Sequence, residues 1–237
     1  MTRGIVYVLT GNQKMFQEIC YSIHSLRRIG YGGEILVISD MPQALTLRKR
    51  FDVKVKLLRF PGKDGRTRSR WVKTQIGKFT PFDRTLFLDS DILALQNFDH
   101  IWNIPGGICA AIDNNPTISD CNHGTDMEVL CTKNIIGDDK APHYNTGVLL
   151  FDKEKMVKFC KFWHEEWKRY EDIDQLAFAR VIYFRKEEMD FRVLDEDYNF
   201  FDHRLERVMK HRGKIIFLHN LSSHPEKILE QFPSPLL

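Results

Sequence analysis

The stretch that most constrains the fold is Thr85-Leu-Phe-Leu-Asp-Ser-Asp-Ile-Leu93, in which a short apolar run leads into two carboxylates. An apolar run of this length that ends in polar residues predicts a buried strand. Asp89 and Asp91 then lie at or just past the carboxyl end of that strand, the edge of an open α/β sheet where ligands bind. Neighbouring carboxylates repel each other, and a hard divalent cation such as Mg²⁺ or Mn²⁺ relieves that repulsion.

Composition bounds the class of protein. The chain has 237 residues, a hydrophobic share of 43% and a net charge of +3. These values are ordinary for a globular protein and predict one domain, 1–237. No apolar run is long enough to predict a transmembrane segment, and residues 1–5 lead into a strand without the apolar region of a secretory signal. The five cysteines are odd in number and scattered, which predicts reduced thiols and a cytoplasmic location.

Lysine and arginine are concentrated between Lys54 and Arg84. Such a run is either a solvated face of the protein or a seat for an anion such as a diphosphate. It matches no nucleic-acid-binding motif, so we expect no nucleic-acid partner. The basic surface leaves a peripheral association with a membrane open, although no amphipathic anchor is evident.

Apolar periodicity predicts alternating strands and helices. We predict a first strand at Gly4–Leu9, a helix capped by Asn12 that runs to Gly30, and a second strand at Glu34–Asp40. This order predicts a parallel pair of strands joined by a right-handed crossover. The stretch 114–143 is polar with little periodicity, and we predict a long functional loop. Further strands are predicted at 53–57, 108–112, 147–151, 191–194 and 215–218, and helices at 43–51, 70–79, 153–170, from 174 and from 225.

Several predicted strands end in a residue that can bind a ligand. These residues are either ordinary polar strand ends or groups that converge on one site. The residues concerned are Asp40, Asp89, Asp113, Asp152 and His219.

Taken in chain order, these features resemble the GT-A glycosyltransferases, most closely family 8, the retaining group that includes glycogenin and bacterial galactosyltransferases. The resemblance covers nearly the whole chain. Asp-X-Asp alone is common, whereas unrelated folds would rarely repeat the whole ordered set. The matching motifs are Ile5-Val-Tyr-Val-Leu-Thr10, the basic helix around Arg70, Leu86-Phe-Leu-Asp-Ser-Asp-Ile-Leu93, Ala111-Ile-Asp113, Tyr144-Asn-Thr-Gly-Val-Leu-Leu-Phe151, Asp174-Gln175 and Phe217-Leu-His-Asn220.

The resemblance implies an α/β protein with the GT-A fold, a Rossmann-like mixed sheet flanked by helices. Residues 1–113 would form the nucleotide-binding part, and residues 114–237 the sugar and acceptor part. By the same resemblance, Asp89, Asp91 and His219 bind Mn²⁺ or Mg²⁺, and Asp89 also lies near the ribose.

The resemblance also assigns the remaining candidate residues. Thr10 and Asn12 would lie beside the base, and Asp40 would contact the base or the ribose. Arg70 and Lys73 are expected at the diphosphate, and Ser90 is expected beside the metal-binding aspartates. Those expected to line the sugar and its reaction face are Asp113, Asn145, Asp174 and Gln175.

One motif departs from the family pattern. The family usually continues its metal-binding histidine into a glycine and a lysine that grips the diphosphate. Here His219 is followed by Asn-Leu-Ser-Ser-His224-Pro-Glu-Lys227, without that glycine and with Lys227 two positions late. The grip would then come from Lys227, His224 or the basic helix.

The sequence therefore predicts a metal-dependent glycosyltransferase that moves a sugar from a nucleotide-sugar with retention of configuration. The donor implied by the resemblance is a UDP-sugar. The acceptor is left open among glycans, lipids, proteins and small molecules, as is a homodimer. A charge-neutralising cation suits this chemistry, because breaking the sugar–phosphate bond puts negative charge on the leaving diphosphate.

Three other functions are weighed against this one. A phosphohydrolase of the haloacid dehalogenase type also carries Asp-X-Asp after an apolar strand, but there the motif belongs to the first strand. A sugar-nucleotide pyrophosphorylase would need a glycine-rich loop after the first strand, which is lacking. A degenerate, inactive nucleotide-sugar-binding protein would be expected to have lost Asp89, Asp91 or His219, although the altered stretch after His219 leaves this alternative open.

A zinc site in the stretch 114–143 is not predicted. The stretch contains two cysteines and two histidines, but their spacing differs from that of usual zinc pairs. The four residues are Cys121, His123, Cys131 and His143.

Overall fold

The computed structural model describes residues 1–201, 204–219 and 225–232. Seven strands form the main sheet, in the spatial order β3-β2-β1-β4-β7-β6-β8. Strand β1 is parallel to β2 and β4, as predicted for the first pair, whereas β7 is antiparallel to β4 and β6. The strands are β1 Arg3–Leu9, β2 Glu34–Ser39, β3 Lys54–Leu57, β4 Arg84–Leu88, β5 Ile92–Ala94, β6 Ile108–Thr117, β7 Pro142–Asp152, β8 Phe191–Leu194, β9 Phe200–Phe201 and β10 Phe217–His219.

A small second sheet continues the chain from the central strand. It has the order β5-β10-β9, and β5 begins directly after the two aspartates that follow β4. Antiparallel pairing places His219 of β10 opposite Ile92 of β5. Pairing in the short sheet therefore brings His219 close to Asp91, which is far from it in the sequence.

Helices cover both faces of the main sheet. Alternate residues of β1 point to opposite faces: Ile5 and Tyr7 pack in one core with residues of α1, and Val6 and Val8 in another with residues of α5 and α6. The mixed sheet flanked by helices agrees with the predicted fold class. The helices are α1 Gln13–Arg28, α2 Thr46–Phe51, α3 Gly65–Lys73, α4 Asp126–Ile136, α5 Lys153–Lys168, α6 Asp174–Arg185, α7 Leu205–Lys210 and α8 Pro225–Gln231.

The aromatic stripe of α5 belongs to the core. Its apolar residues recur at helical spacing, and all of them are buried between α6 and the main sheet. They are Met156, Phe159, Cys160, Trp163 and Trp167.

The basic helix begins earlier than predicted. We predicted 70–79, but α3 spans Gly65–Lys73, and a separate 3₁₀ turn follows at Ile76–Lys78. Asp64 caps the helix by accepting a hydrogen bond from the backbone N–H of Thr67 at 2.7 Å. Similarly, the helix predicted at 43–51 begins as a 3₁₀ turn at Pro42–Leu45, and α2 follows from Thr46.

The prediction of a long loop at 114–143 is wrong. Strand β6 continues to Thr117, a 3₁₀ turn follows at Ile118–Asp120, α4 occupies Asp126–Ile136, and β7 begins at Pro142. Among the helices of the described residues, none combines the length and apolar character that crossing a bilayer requires.

Candidate functional site

A cavity of about 670 Å³ opens at the carboxyl ends of β1 and β4. It is bordered by α3, by β7 and by the first residues of α6. Eleven of the residues predicted from the sequence line it: Thr10, Arg70, Lys73, Asp89, Ser90, Asp91, Asp113, Asn145, Asp174, Gln175 and His219.

The other predicted residues have different surroundings. Asn12 caps α1 by accepting hydrogen bonds from the backbone N–H groups of Lys14 and Met15. Asp40 accepts a hydrogen bond from Nε of Arg68 at 2.5 Å, and Lys227 is exposed on α8. None of the three is among the residues that line this cavity. His224, the other proposed phosphate grip, lies outside the described residues.

Of the strand-end residues, Asp152 lies away from the site because β7 is antiparallel to β4. It pairs with the first residue of β4, accepting a hydrogen bond from Nη1 of Arg84 at 2.8 Å. Asp89, Asp113 and His219 do converge on the cavity. The convergence hypothesis therefore holds for part of the set only.

Lys73 is the centre of a buried charge cluster. Its Nζ lies 3.0 and 2.9 Å from the two carboxylate oxygens of Asp89 and 3.3 Å from Oδ2 of Asp174. Burial works to lower the pKa of Lys73, but Asp174 and Asp89 outweigh it and hold the pKa above its usual value. Lys73 is therefore charged, and it neutralises much of the charge of Asp89.

Asp174 is held as an ionised carboxylate. Burial works to raise its pKa, but Lys73 and Arg70 hold the pKa below its usual range. Thr146 donates a hydrogen bond to its Oδ2 at 2.6 Å, and Nε of Arg70 lies 3.6 Å from its Oδ1. Because its oxygens are taken by protein groups, Asp174 acts here chiefly as an anchor for the two cations of α3.

Asp91 and His219 face each other across the join between the two sheets. Oδ2 of Asp91 lies 3.4 Å from Nε2 of His219. Burial works to raise the pKa of Asp91, but the nearby His219 holds that pKa below its usual value. Conversely, burial works to lower the pKa of His219, but Asp91 holds that pKa above its usual value. Neighbouring ligands of an octahedral Mg²⁺ are about 3 Å apart, so this spacing fits two ligands of one cation. Asp89 is turned to Lys73, and would join them by sharing its oxygens between Lys73 and the cation.

A chain of amides fixes the orientation of His219. Asn145 donates to Oδ2 of Asp113 at 2.8 Å, and its own Oδ1 accepts from Nδ2 of Asn199 at 2.8 Å. Oδ1 of Asn199 is thereby left to accept from Nδ1 of His219, at 3.2 Å. With its proton on Nδ1, the imidazole presents the lone pair of Nε2 to a cation, as outer hydrogen bonds commonly do for metal-binding histidines. No pattern in the sequence indicates Asn199, because its contact with His219 depends on the fold.

Gly147 lets the His219 ring lie against strand β7. A Cβ at this position would lie 2.7 Å from Cε1 of His219 and 3.0 Å from Oδ1 of Asn145. Both distances are shorter than van der Waals contact. The glycine of the Asn-Thr-Gly motif is therefore required by the close approach of the histidine.

Several polar side chains of the cavity were not predicted as site residues, among them three on the helices α1 and α3. Arg66 and Ser69 lie on α3 beside Arg70, and Glu18 reaches the cavity from α1. Burial and the nearby Asp91 raise the pKa of Glu18. The helical repeat could have indicated Arg66, which lies one turn before Arg70; nothing in the sequence separates Glu18 from the other polar residues of α1.

Comparison with known proteins identifies the family. The sequence pattern described as Glycosyl transferase family 8 matches residues 40–220, more than half of the chain. The chain belongs to glycosyl transferase family 8. It is therefore a glycosyltransferase, as the ordered motifs indicated, and the phosphohydrolase and pyrophosphorylase interpretations have no support. No curated protein sequence is similar enough to count as a match.

Solved structures show the same fold for this family 8 chain. It is similar to galactosyltransferase LgtC, in complex with donor and acceptor sugar analogs, with a TM-score of 0.64 and 15% identity over 95% of this chain and 94% of that one. It is also similar to GlyE of Streptococcus pneumoniae, with a TM-score of 0.62, 17% identity, and coverage of 97% and 60%. For mouse xyloside xylosyltransferase 1 the TM-score is 0.58, with 14% identity and coverage of 92% and 98%. These likenesses support the GT-A fold.

Proposed function

We propose that this glycosyltransferase moves a sugar from a UDP-sugar to an acceptor, with a divalent cation and with retention of configuration. The observation that carries the proposal is the pair Asp91 and His219, whose ligand atoms lie 3.4 Å apart inside the cavity. Carboxylate oxygens suit Mn²⁺ and Mg²⁺ better than thiolate-seeking metals. The UDP moiety and retention rest on the family 8 resemblance.

Asp89, Asp91 and His219 would hold the cation. Bound there, it supplies a Lewis acid that neutralises the charge developing on the leaving diphosphate. The chain contributes the orientation of the ligands through Asn199 and Asn145. It also contributes the charge of Lys73, which counteracts the rise in the pKa of Asp89 that burial causes.

The diphosphate would lie along the face of α3 that borders the cavity. Arg66, Ser69 and Arg70 line the cavity from this face, and charge-assisted hydrogen bonds to phosphate are strong. Nη1 of Arg70 donates to the backbone oxygen of Asp172 at 2.7 Å, which fixes its direction. Preorganised donors of this kind are each worth about 3–4 kcal/mol to a transition state. In this arrangement α3 takes the role for which Lys227 was proposed.

The sugar would lie between the diphosphate and the pair Asp113 and Gln175. Asp113 is buried and accepts hydrogen bonds from Asn145 and from Nε2 of Gln175, at 2.8 and 3.0 Å. Asp174 lies deeper, bound to Thr146. Gln175 and Asp113 are therefore the groups we propose for the reaction face, while Asp174 positions Arg70 and Lys73.

The acceptor would enter over the last part of β6 and its connection to α4, because Asn114, Asn115 and Asn122 line that side of the cavity. These side chains offer both donors and acceptors, which suits hydroxyl groups. We also propose a cytoplasmic location on the basis of the five free cysteines, since thiols persist in reducing compartments.

The test is release of UDP from a panel of UDP-sugars with Mn²⁺ or Mg²⁺, repeated with a chelator. We expect slow hydrolysis of one donor that chelation abolishes. Asp91→Asn should abolish it too, whereas Asp139→Asn, the same change at an exposed site outside the cavity, should not. Full activity of Asp91→Asn, or turnover that survives the chelator, would remove the cation from the proposal.

A further inference from the structure

A second cluster of metal-binding side chains lies beside the cavity. Cys121, His123 and His143 each offer one ligand atom, and these three atoms lie within 4.8 Å of one another. Among the described residues this is the one group of three histidine, cysteine or acidic side chains with that property. Cys131, the fourth candidate of the sequence, lies on α4 with its thiol near Sδ of Met127.

The buried ring of His143 supplies an independent observation. The side chain is fully buried, and its Nδ1 lies 3.1 Å from the backbone oxygen of Asn115. Because a carbonyl oxygen can only accept, Nδ1 carries the proton and Nε2 carries the lone pair. Nε2 is buried and has no hydrogen-bond partner among the described residues. A buried polar atom without a partner is costly, and a metal bond would satisfy it.

The other two side chains can complete the site. Cys121 is buried, which protects a thiolate–metal bond from solvent. His123 is exposed, and its Nε2 lies 2.5 Å from Oε1 of Gln175. Because it is exposed, the ring of His123 can reorient to bind an ion. The rings of His123 and His143 are already close, with centroids 5.3 Å apart.

We propose that Cys121, His123 and His143 form a binding site for a borderline divalent metal ion, with Zn²⁺ as the expected occupant. One thiolate and two imidazoles are a donor set that Zn²⁺ favours over Mn²⁺ and Mg²⁺. Binding displaces the thiol proton of Cys121 to solvent. Three protein ligands leave a fourth position for water, on the side that borders the cavity through His123.

Outer hydrogen bonds around the cluster match those of known metal sites. Histidine ligands usually give their second N–H to a carbonyl or a carboxylate, and Nδ1 of His143 faces both the carbonyl of Asn115 and, at 3.8 Å, Oδ1 of Asp113. An ion here would join the segment before α4 to strand β7. It would thereby hold His123 beside Gln175. The site is independent of the proposed donor chemistry, because it uses none of the residues assigned to the first cation.

The experiment is a Co²⁺ titration of the full chain after removal of bound metal with a chelator. Cobalt bound by a thiolate gives a sulfur-to-metal charge-transfer absorption that oxygen and imidazole ligands do not give. We expect the band to saturate at one equivalent and to be displaced by Zn²⁺. Cys121→Ser should abolish it and His143→Ala should weaken Co²⁺ binding at least tenfold.

Two variants serve as controls. Cys131→Ser changes a cysteine outside the cluster, and Asp91→Asn changes the first cation site; both should keep the band. Absence of the band from the unaltered chain, or its persistence in Cys121→Ser, would overturn the proposal. If His143→Ala fails to fold by circular dichroism, Cys121→Ser decides alone, because serine keeps the volume of the side chain. Loss of the band in Asp91→Asn would show that the cobalt site is not separate.

Discussion

Asn199 links the predicted metal-binding histidine to the rest of the site. Its Oδ1 accepts from Nδ1 of His219, and its Nδ2 donates to Asn145. Asn199→Ala removes both contacts, so the imidazole can turn and change its tautomer. We expect the apparent affinity for Mn²⁺ to fall by about 10- to 100-fold, as for other outer partners of metal ligands. The measurement is UDP release as a function of Mn²⁺ concentration, with exposed Asn134→Ala as the matched control. An unchanged Mn²⁺ curve would show that Asn199 does not position the histidine.

Gly147 tests the close packing of the same ring. Gly147→Ala places a Cβ 2.7 Å from Cε1 of His219, and overpacking of this kind costs about 1–3 kcal/mol. We expect a lower urea midpoint and weaker Mn²⁺ dependence. In the His219→Ala background the clash with the ring disappears and only the contact with Oδ1 of Asn145 remains, so the cost in unfolding free energy should shrink. Equal costs in the two backgrounds would assign the loss to strand β7 itself.

The sequence predicted the acidic residues that follow apolar runs and missed the residues whose roles depend on tertiary contacts. Asp89 and Asp113 each follow directly on an apolar run, and such runs predict buried strands. Asn199 and Glu18 carry no local signal, because their roles come from side chains far away in the chain. The spacing of Cys121 and His143 in the sequence does not predict a metal site, because the fold and not the spacing brings the two residues together.

At the scale of elements, helix α4 escaped prediction because its apolar residues do not form one stripe. Met127 and Leu130 are 66% and 56% exposed, while Thr132 and Glu128 are buried. A polar residue points inward because Arg180 of α6 meets it there. Strands β5 and β10 have three residues each and owe their existence to pairing with one another. Long amphipathic helices such as α1 and α5 needed no such information.

Arg180 holds α4 and α5 onto α6. It is 1% exposed, donates to Thr132 and to a carboxylate oxygen of Glu128, and pairs with Glu166 at 2.9 Å. Arg180→Ala leaves Glu128 buried without its partner, which costs about 3–5 kcal/mol. Urea unfolding measures the loss, and hydrogen exchange should show it first in α4. Adding Glu128→Gln should recover part of the stability; no recovery would mean that packing, not charge, explains the loss.

The interaction of Glu128 with Arg180 also determines how the stability of Arg180→Ala depends on pH. Burial, partly offset by Arg180, raises the pKa of Glu128 to about 7. A raised carboxyl pKa means that the folded state favours the proton, so stability falls as the pH rises from about 4.5 through 7. Without Arg180 the offset is gone, so the pKa of Glu128 in the folded state rises further and the fall continues to higher pH. Arg180→Ala should therefore be more destabilising at about pH 8 than at about pH 5; the opposite order would contradict the assignment.

His164 couples α5 to the end of α3. Its Nδ1 lies 2.8 Å from Oγ1 of Thr74, and burial, followed by Lys168 and Lys78, lowers its pKa to about 4. A lowered histidine pKa means that the unfolded chain takes up the proton first as the pH falls below about 6.5. Stability is then lost between about pH 6.5 and 4, by about 1–2 kcal/mol after allowance for solvent screening of a half-exposed ring. His164→Gln should lose less than the unaltered chain over this range in urea titrations, and identical pH profiles would contradict the argument.

At the scale of the whole molecule, the candidate donor site joins the main sheet to the small one. Asp89 follows β4, Asp91 precedes β5, and His219 ends β10. A ligand that binds all three stabilises the folded chain by mass action, by about 2.7 kcal/mol at a concentration 100 times its Kd. For a chain of this size that is a rise in Tm of roughly 5–10 °C.

We therefore expect UDP with Mn²⁺ to raise the Tm by that amount, and UDP with a chelator to raise it much less. Asp91→Asn should lose the shift and Asp139→Asn should keep it. Because Asp91 precedes β5 and His219 ends β10, hydrogen exchange should slow most in these two strands when the ligand binds. A Tm shift without that protection would place UDP elsewhere on the molecule and separate nucleotide binding from the Asp91–His219 pair.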